Sequence, residues 1–98
     1  MKQIVWDIDK NALLYTDRGV CFEDVLLALE QGASLDRLEH LNQEKYPGQR
    51  IMVVAIGRYA SLVPYVETDD YLFLKTIIPS RKATKKYLAD KGDTDETE

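Results

Sequence analysis

The chain has 98 residues, of which 45% are hydrophobic and 31% are charged, and its formal net charge at pH 7 is −4. This composition is typical of one globular domain and excludes a disordered chain. No apolar run reaches the roughly 18 residues that span a bilayer, and no basic start leads into an apolar signal segment, so we expect a cytoplasmic protein without membrane contact. A single cysteine and a single histidine exclude an internal disulfide and make a His/Cys metal site improbable. We expect no metal and no cofactor.

The first half of the sequence predicts a strand and two helices. Residues 3–8 alternate as a strand, and Asp9 is a candidate N-cap for a helix that runs to Arg18 and ends at Gly19. The second helix closes at Gly32. Its buried stripe recurs at i, i+3, i+4 and i+7 and consists of Phe22, Val25, Leu26 and Leu29.

The second half predicts an antiparallel meander. A short, half-exposed strand follows Gly32, and Pro47-Gly48 marks a turn. Short turns then separate three strand-like runs, 51–56, 59–66 and 71–78. Because Pro64 cannot donate a ladder hydrogen bond, its strand needs an exposed edge or a bulge there.

The C-terminal part predicts a helix and an acidic tail. Ser80 is a good N-cap for a helix over about 81–89. Residues after Gly92 include no apolar side chain, so we expect one domain over residues 1–90 and a disordered acidic tail over 91–98. The predicted fold class is α+β, an antiparallel sheet with two N-terminal helices and one C-terminal helix.

Charge is divided sharply along the chain. Residues 75–89 hold five Lys or Arg and no acid, whereas residues 90–98 hold five acids and one Lys. Arg81 and Lys82 fall in the first turn of the predicted helix, where cations oppose the helix dipole by roughly 0.3–1 kcal/mol each. Cations at that position, beside free N–H groups, indicate a phosphate-binding corner. The alternative is a solvated surface helix whose charges point into water.

Other side chains are candidates for RNA contacts or proton transfer. Lys75 shares a strand face with Tyr71, Phe73 and Ile77, where it would hold a phosphate beside a stacked base or simply cover apolar neighbours. Proton transfer or charge stabilisation is open to three residues flanking a polar loop, His40, Glu44 and Arg50. Cys21, at the start of the second helix, is expected to be a packing residue.

The two ends of the chain resemble the BrnT-type toxins of bacterial type II toxin–antitoxin modules, which have a RelE-like ribonuclease fold. The N-terminal likeness consists of Trp6-Asp7, Lys10, Gly19-Val20 and Phe22-Glu23-Asp24. The C-terminal likeness is the run Ser80-Arg81-Lys82-Ala83-Thr84-Lys85-Lys86. The segment Asn42 to Pro47 is similar to that of a sub-branch with the same PSRKATKKYL ending.

The resemblance implies metal-independent cleavage of RNA and neutralisation by a cognate antitoxin, through which alone DNA is bound. Arg81 and Lys82 would then stabilise the phosphorane with help from Arg50, while Lys75, Lys85 and Lys86 bind the RNA. Our inference from chemistry, not from the resemblance, makes His40 or Glu44 the base or acid.

Two alternatives stay open. The chain is a non-catalytic, antitoxin-binding repressor partner of the same fold, or a small RNA-binding module that uses its basic helix and tyrosines. Asp17-Arg18 stands where the family has Lys-His, which favours the non-catalytic subunit. The retained Arg81-Lys82 pair favours the ribonuclease.

Overall fold

The structure is a computed structural model that describes residues 2–39, 42–45 and 47–88. His40 and the tail 91–98 lie outside the described residues. The elements are β1 (Gln3–Trp6), α1 (Ile8–Arg18), α2 (Phe22–Glu30), β2 (Ser34–Glu39), β3 (Gln49–Ile56), β4 (Tyr59–Glu67), β5 (Tyr71–Leu74), β6 (Ile78–Pro79) and α3 (Arg81–Leu88). The α+β class, with two N-terminal helices and one C-terminal helix, is confirmed.

The strands form one six-stranded sheet in the order β1-β5-β4-β3-β2, and β6 also pairs with β4. The neighbours from β2 through β5 are antiparallel, as predicted from the turns between them. The pair β1–β5 is parallel, so the prediction of a wholly antiparallel sheet is wrong at this edge. Its partners are more than sixty residues apart in sequence, for example Gln3 and Tyr71, and no local turn signal reports such a pairing.

The predicted run 71–78 is divided by a break opposite Pro64. Lys75 donates its N–H to the Pro64 carbonyl at 2.8 Å, and pairing with β4 then resumes only at Ile78. Pro64 has no N–H to offer on that side, which accounts for the interrupted ladder. The break also corrects one expectation, because it turns Ile77 into the core instead of onto the face of Tyr71 and Phe73.

Capping residues fix the ends of α1. The carboxylate of Asp7, not that of Asp9, caps the helix by accepting the N–H groups of Asp9 and Lys10 at 2.8 and 3.2 Å. The predicted cap was therefore two residues late. Gly19 ends the helix with a φ of 71°, a left-handed conformation that glycine adopts without strain.

The two faces of the sheet carry different helices. One face, the helix-pair face, packs against α1 and α2 through a large apolar cluster that includes Phe22, Val54 and Leu74. The ring of Phe22 stacks on Trp6, with 5.5 Å between centroids. The opposite face, the α3 face, holds a smaller cluster in which Ala83 of α3 packs on Val53 and Ala60. Alternation along each strand sends neighbouring side chains to opposite faces.

Candidate functional site

The first turn of α3 is fixed onto β4 by hydrogen bonds. Ser80 caps the helix as predicted, because its hydroxyl accepts the N–H of Ala83 at 3.0 Å. The Ser80 N–H donates to the carbonyl of Ala60 at 3.0 Å. The hydroxyl of Thr84 accepts the N–H of Ala60 at 2.8 Å and donates to the Ser80 carbonyl at 2.7 Å. The residues that follow Ser80 therefore have a defined position over the sheet.

The last turn of α3 is joined to the edge strand β2. The hydroxyl of Tyr87 donates to the carboxylate of Asp36 at 2.6 Å. This hydrogen bond lowers the pKa of Asp36, with smaller contributions from the Arg37 N–H and the charge of Lys86. The same bond raises the pKa of Tyr87, since ionisation would place two negative charges side by side.

The exposed side of α3 is uniformly basic. Arg81 and Lys82 lie in its first turn, Lys85 and Lys86 lie one turn later, and all four are exposed. The ammonium of Lys86 lies 5.2 Å from the ring centroid of Tyr87. The helix contains no acid. The four cations of the predicted helix therefore face solvent, whereas Ala83 packs on the sheet.

Lys75 lies on the same face of the sheet as α3. Its ammonium is 5.8 Å from the ring centroid of Phe73, and Phe73 pairs with Val66 on the α3 face. Lys75 is level with Pro64, whereas Ser80 is level with Ala60. Four residues of strand separate these levels by roughly 13 Å. Lys75, just after β5, and the start of α3 therefore lie on the same face of the sheet.

Beside α3, the same face carries apolar side chains that no described helix packs over. We call them the open patch: Val5, Ile51, Val66 and Phe73, with Leu38 and Tyr71 at its margins. The four central residues are half-buried, and Leu38 and Tyr71 are 41% and 39% exposed. Outward-facing positions of a solvated sheet are usually polar. An apolar surface here is typical of a binding surface.

Arg50 does not join the cations of α3. It pairs with Tyr65, whose side chain is buried in the cluster under α1 and α2, so Arg50 lies on the helix-pair face. Its partner Tyr65 is also five residues along β4 from Ala60, which places Arg50 roughly 17 Å from the level of Ser80. There Arg50 is near the Lys2–Glu67 ion pair, where the Lys2 hydrogen bond first, and the charge of Arg50 to a lesser extent, lower the pKa of Glu67.

Glu44 is also separate from the α3 cations. It is exposed in the turn of residues 43–45, between β2 and β3. That turn is closed by the Asn42 side chain, which accepts the N–H of Lys45 at 3.0 Å. In the part of the chain that the structure describes, neither a hydrogen bond nor an ion pair connects Glu44 to Arg81 or Lys82. His40 lies outside the described residues. Of the five candidates for catalysis, the structure therefore places only Arg81 and Lys82 side by side.

Arg18 is a positioning residue that the sequence analysis missed. Its guanidinium donates to the carbonyl of Ile77, 59 residues away and in the break between β5 and β6. Arg18 thereby ties the end of α1 to the segment that leads into Ser80 and α3. Its place in the sequence indicated only a cation near the C-terminus of a helix, where the dipole favours it, and no local pattern identified the partner.

Cys21 occupies the N-cap position of α2, as a packing and capping residue. The carboxylate of Asp24 accepts its backbone N–H at 3.0 Å. Burial, first, and the nearby carboxylates raise the pKa of the thiol. A raised pKa keeps the sulfur protonated at neutral pH, which argues against a nucleophilic role.

Comparisons with known proteins add no assignment to this geometry. No family model, curated protein or solved structure matches the chain. Within residues 2–39, 42–45 and 47–88, no three His, Cys, Asp or Glu side chains are grouped to hold a metal ion. None of the helices in the same ranges is both long and apolar enough to span a bilayer.

Proposed function

We propose that this protein is the toxin component of a type II toxin–antitoxin module, with a RelE-like fold and a metal-independent endoribonuclease activity. The observation that carries the proposal is a set of five exposed cations on the α3 face of the sheet and on α3 itself: Lys75, Arg81, Lys82, Lys85 and Lys86. Neither β5 nor α3 contains an acidic side chain, and the carboxylate of Asp36, beside the last turn of α3, is hydrogen-bonded to Tyr87. The end motifs that resemble BrnT-type toxins support the same conclusion.

The chemistry divides between these cations and a proton-transfer pair. Cleavage by the ribose 2′-hydroxyl needs a base, positive charge at the phosphorane and an acid for the leaving oxygen. Arg81 and Lys82 supply the charge, since a guanidinium presents a fork of N–H donors that matches phosphate oxygens. Lys75, Lys85 and Lys86 hold the flanking strand. His40 and Glu44 stay predictions for the proton transfers, although Glu44 is separate from the α3 cations, and Arg50, on the opposite face, is not part of this proposal.

A cognate antitoxin is the protein partner in this proposal. The open patch supplies apolar contact area and the basic side of α3 favours an acidic segment, so one partner segment would cover both and exclude RNA. The antitoxin would also carry the DNA contacts of the complex. The location of both proteins would be the cytoplasm.

The second candidate function is a non-catalytic, antitoxin-binding subunit of the same fold. It is favoured by the separation of Arg50 and Glu44 from the α3 cations. In this case the open patch and α3 bind only the antitoxin, and the pair represses its own operon.

The proposal is tested by inducing the protein without its partner and by incubating purified protein with RNA. The wild type is expected to arrest growth and cleave RNA, and Arg81→Ala is expected to lower the cleavage rate by about 100-fold, the usual cost of a lost transition-state charge contact. The matched control is Arg37→Ala, an exposed arginine of β2 paired with Met52 on the helix-pair face. If the wild type neither arrests growth nor cleaves RNA but binds the partner encoded beside it, the second candidate replaces the first.

A further inference from the structure

The strand β5 and the residue that follows it present two aromatic rings and a cation on one face. Tyr71 and Phe73 are two residues apart and pair with Gln3 and Val5 of β1. Alternation therefore puts both rings on the α3 face. The ammonium of Lys75, the next residue in the alternation, lies near the Phe73 ring. No other described strand places two aromatic side chains at this spacing on the α3 face.

The spacing and exposure of these rings suit stacked bases. Residues two apart on a strand are separated by roughly 6.6 Å, about twice the 3.4 Å between stacked bases, so each ring has room for one base. Tyr71 is 39% exposed, and Phe73 lies between the apolar side chains of Val5 and Val66. Sheet aromatics that hold two or three bases are a known means of binding single-stranded RNA.

We propose that β5 binds two bases of single-stranded RNA, one on Tyr71 and one on Phe73, and that Lys75 binds a phosphate between or beside them. This inference rests on the proposed function and specifies how its substrate is held. The Lys75 side chain is flexible, and moving its ammonium from the Phe73 ring to a phosphate replaces one electrostatic contact by a stronger one. The RNA strand then continues toward Arg81, which follows Ser80 on the same face, roughly 13 Å from Lys75 in the direction of β4.

RNA suits this surface better than a protein segment does because of the charge beside the rings. Lys75 and the four cations of α3 are exposed on the same side of the sheet, and phosphate groups of a single strand need such cations near the bases that stack. Bases present flat π-surfaces to aromatic rings whatever their identity, so we expect low sequence preference and strong salt dependence. Double-stranded RNA has its bases paired and is expected to bind more weakly.

The test measures binding of fluorescein-labelled oligouridine by fluorescence anisotropy. Tyr71→Leu and Phe73→Leu are each expected to weaken binding by about fivefold or more, because stacking on an aromatic is lost. The logarithm of the association constant falls with the logarithm of the salt concentration, and Lys75→Gln should make this slope less steep by about 0.7. The control is Tyr15→Leu, which removes a 66% exposed tyrosine from α1 on the opposite side of the sheet and should leave binding unchanged.

A second probe separates stacking from any effect of Phe73→Leu on the fold. An otherwise identical oligonucleotide with abasic sites should bind the wild type as weakly as oligouridine binds the double variant Tyr71→Leu/Phe73→Leu. If the wild type binds oligouridine and both single variants bind within twofold of it, the stacking proposal is overturned while the proposed function stands, and the ring pair belongs to a protein contact. If the wild type binds no RNA, both the stacking proposal and the ribonuclease proposal fail.

Discussion

The two faces of the sheet differ in how they are covered. Among the described residues, the cluster under α1 and α2 contains eleven buried side chains, and the cluster under α3 contains three. The first face is sealed by apolar packing, which supplies most of the stability of a small domain. On the second face α3 is held by this smaller apolar cluster and by hydrogen bonds at its two ends, and the open patch beside it has no helix of the described residues packed over it. The larger apolar core and the surface for which we propose binding thus lie on opposite sides of one sheet.

The largest expected effect on stability distinguishes the two phenylalanines of the chain, one on each face of the sheet. Phe22 is fully buried on the helix-pair face, and Phe73 is half-buried in the open patch. Phe22→Ala should lower the free energy of unfolding by about 3–5 kcal/mol, because it removes a large side chain from a closed core. Phe73→Ala should cost less than half as much. Urea denaturation measures both values, and equal losses would mean that the open patch is part of the core.

An intermediate effect is expected where α3 is anchored to β4. Thr84→Val keeps the shape of the side chain but removes the acceptor for the Ala60 N–H and the donor to the Ser80 carbonyl. The unfolding free energy should fall by about 1–2 kcal/mol, since a partly buried N–H loses its partner. Thr16→Val, at an exposed position of α1, is the control and should change it by about 0.5 kcal/mol or less. A Thr84→Val protein as stable as the wild type would show that apolar contact alone holds α3.

The smallest effect concerns the other end of α3. Tyr87→Phe removes the hydrogen bond to Asp36, whose pKa that bond lowers. A lowered carboxyl pKa contributes stability above the unfolded-state value and loses it as the pH falls through the folded-state value. The difference in unfolding free energy between wild type and Tyr87→Phe should therefore be full at neutral pH and shrink in acid. A difference that does not change with pH would show that Tyr87 does not stabilise the fold through the charged form of Asp36.

Local sequence patterns predicted the parts of the fold that depend on local interactions. The i, i+3, i+4, i+7 stripe gave α2, and Gly57, with a φ of 66°, gave the tight turn between β3 and β4. The parallel β1–β5 pair joins distant segments and had no such signal. Ile77 faces the core because the ladder is interrupted opposite Pro64 in the neighbouring strand. The pattern of residues around Ile77 alone does not contain this information, because it depends on which strand lies beside it.

The candidate site was predictable only in part, for a related reason. The Ser80 cap and the local sequence predicted a helix that carries Arg81, Lys82, Lys85 and Lys86, and the structure places all four on α3. Predicting the face on which Arg50 lies required the strand register, because a shift of one residue would have moved Arg50 to the α3 face. The hydrogen bond from Arg18 to the Ile77 carbonyl could not be predicted from the sequence, because it depends on how α1 packs against the segment before α3.

The central claim is that the α3 face, not the helix-pair face, binds RNA. The most direct measurement is the change in backbone amide NMR shifts when oligouridine is added to the isotope-labelled protein. If RNA binds the α3 face, the largest changes occur at Tyr71, Phe73 and Lys75 and in the first turn of α3, and the exposed residues of α1 and α2 do not change. Shifts concentrated on α1 and α2, with β5 and α3 unaffected, would contradict it.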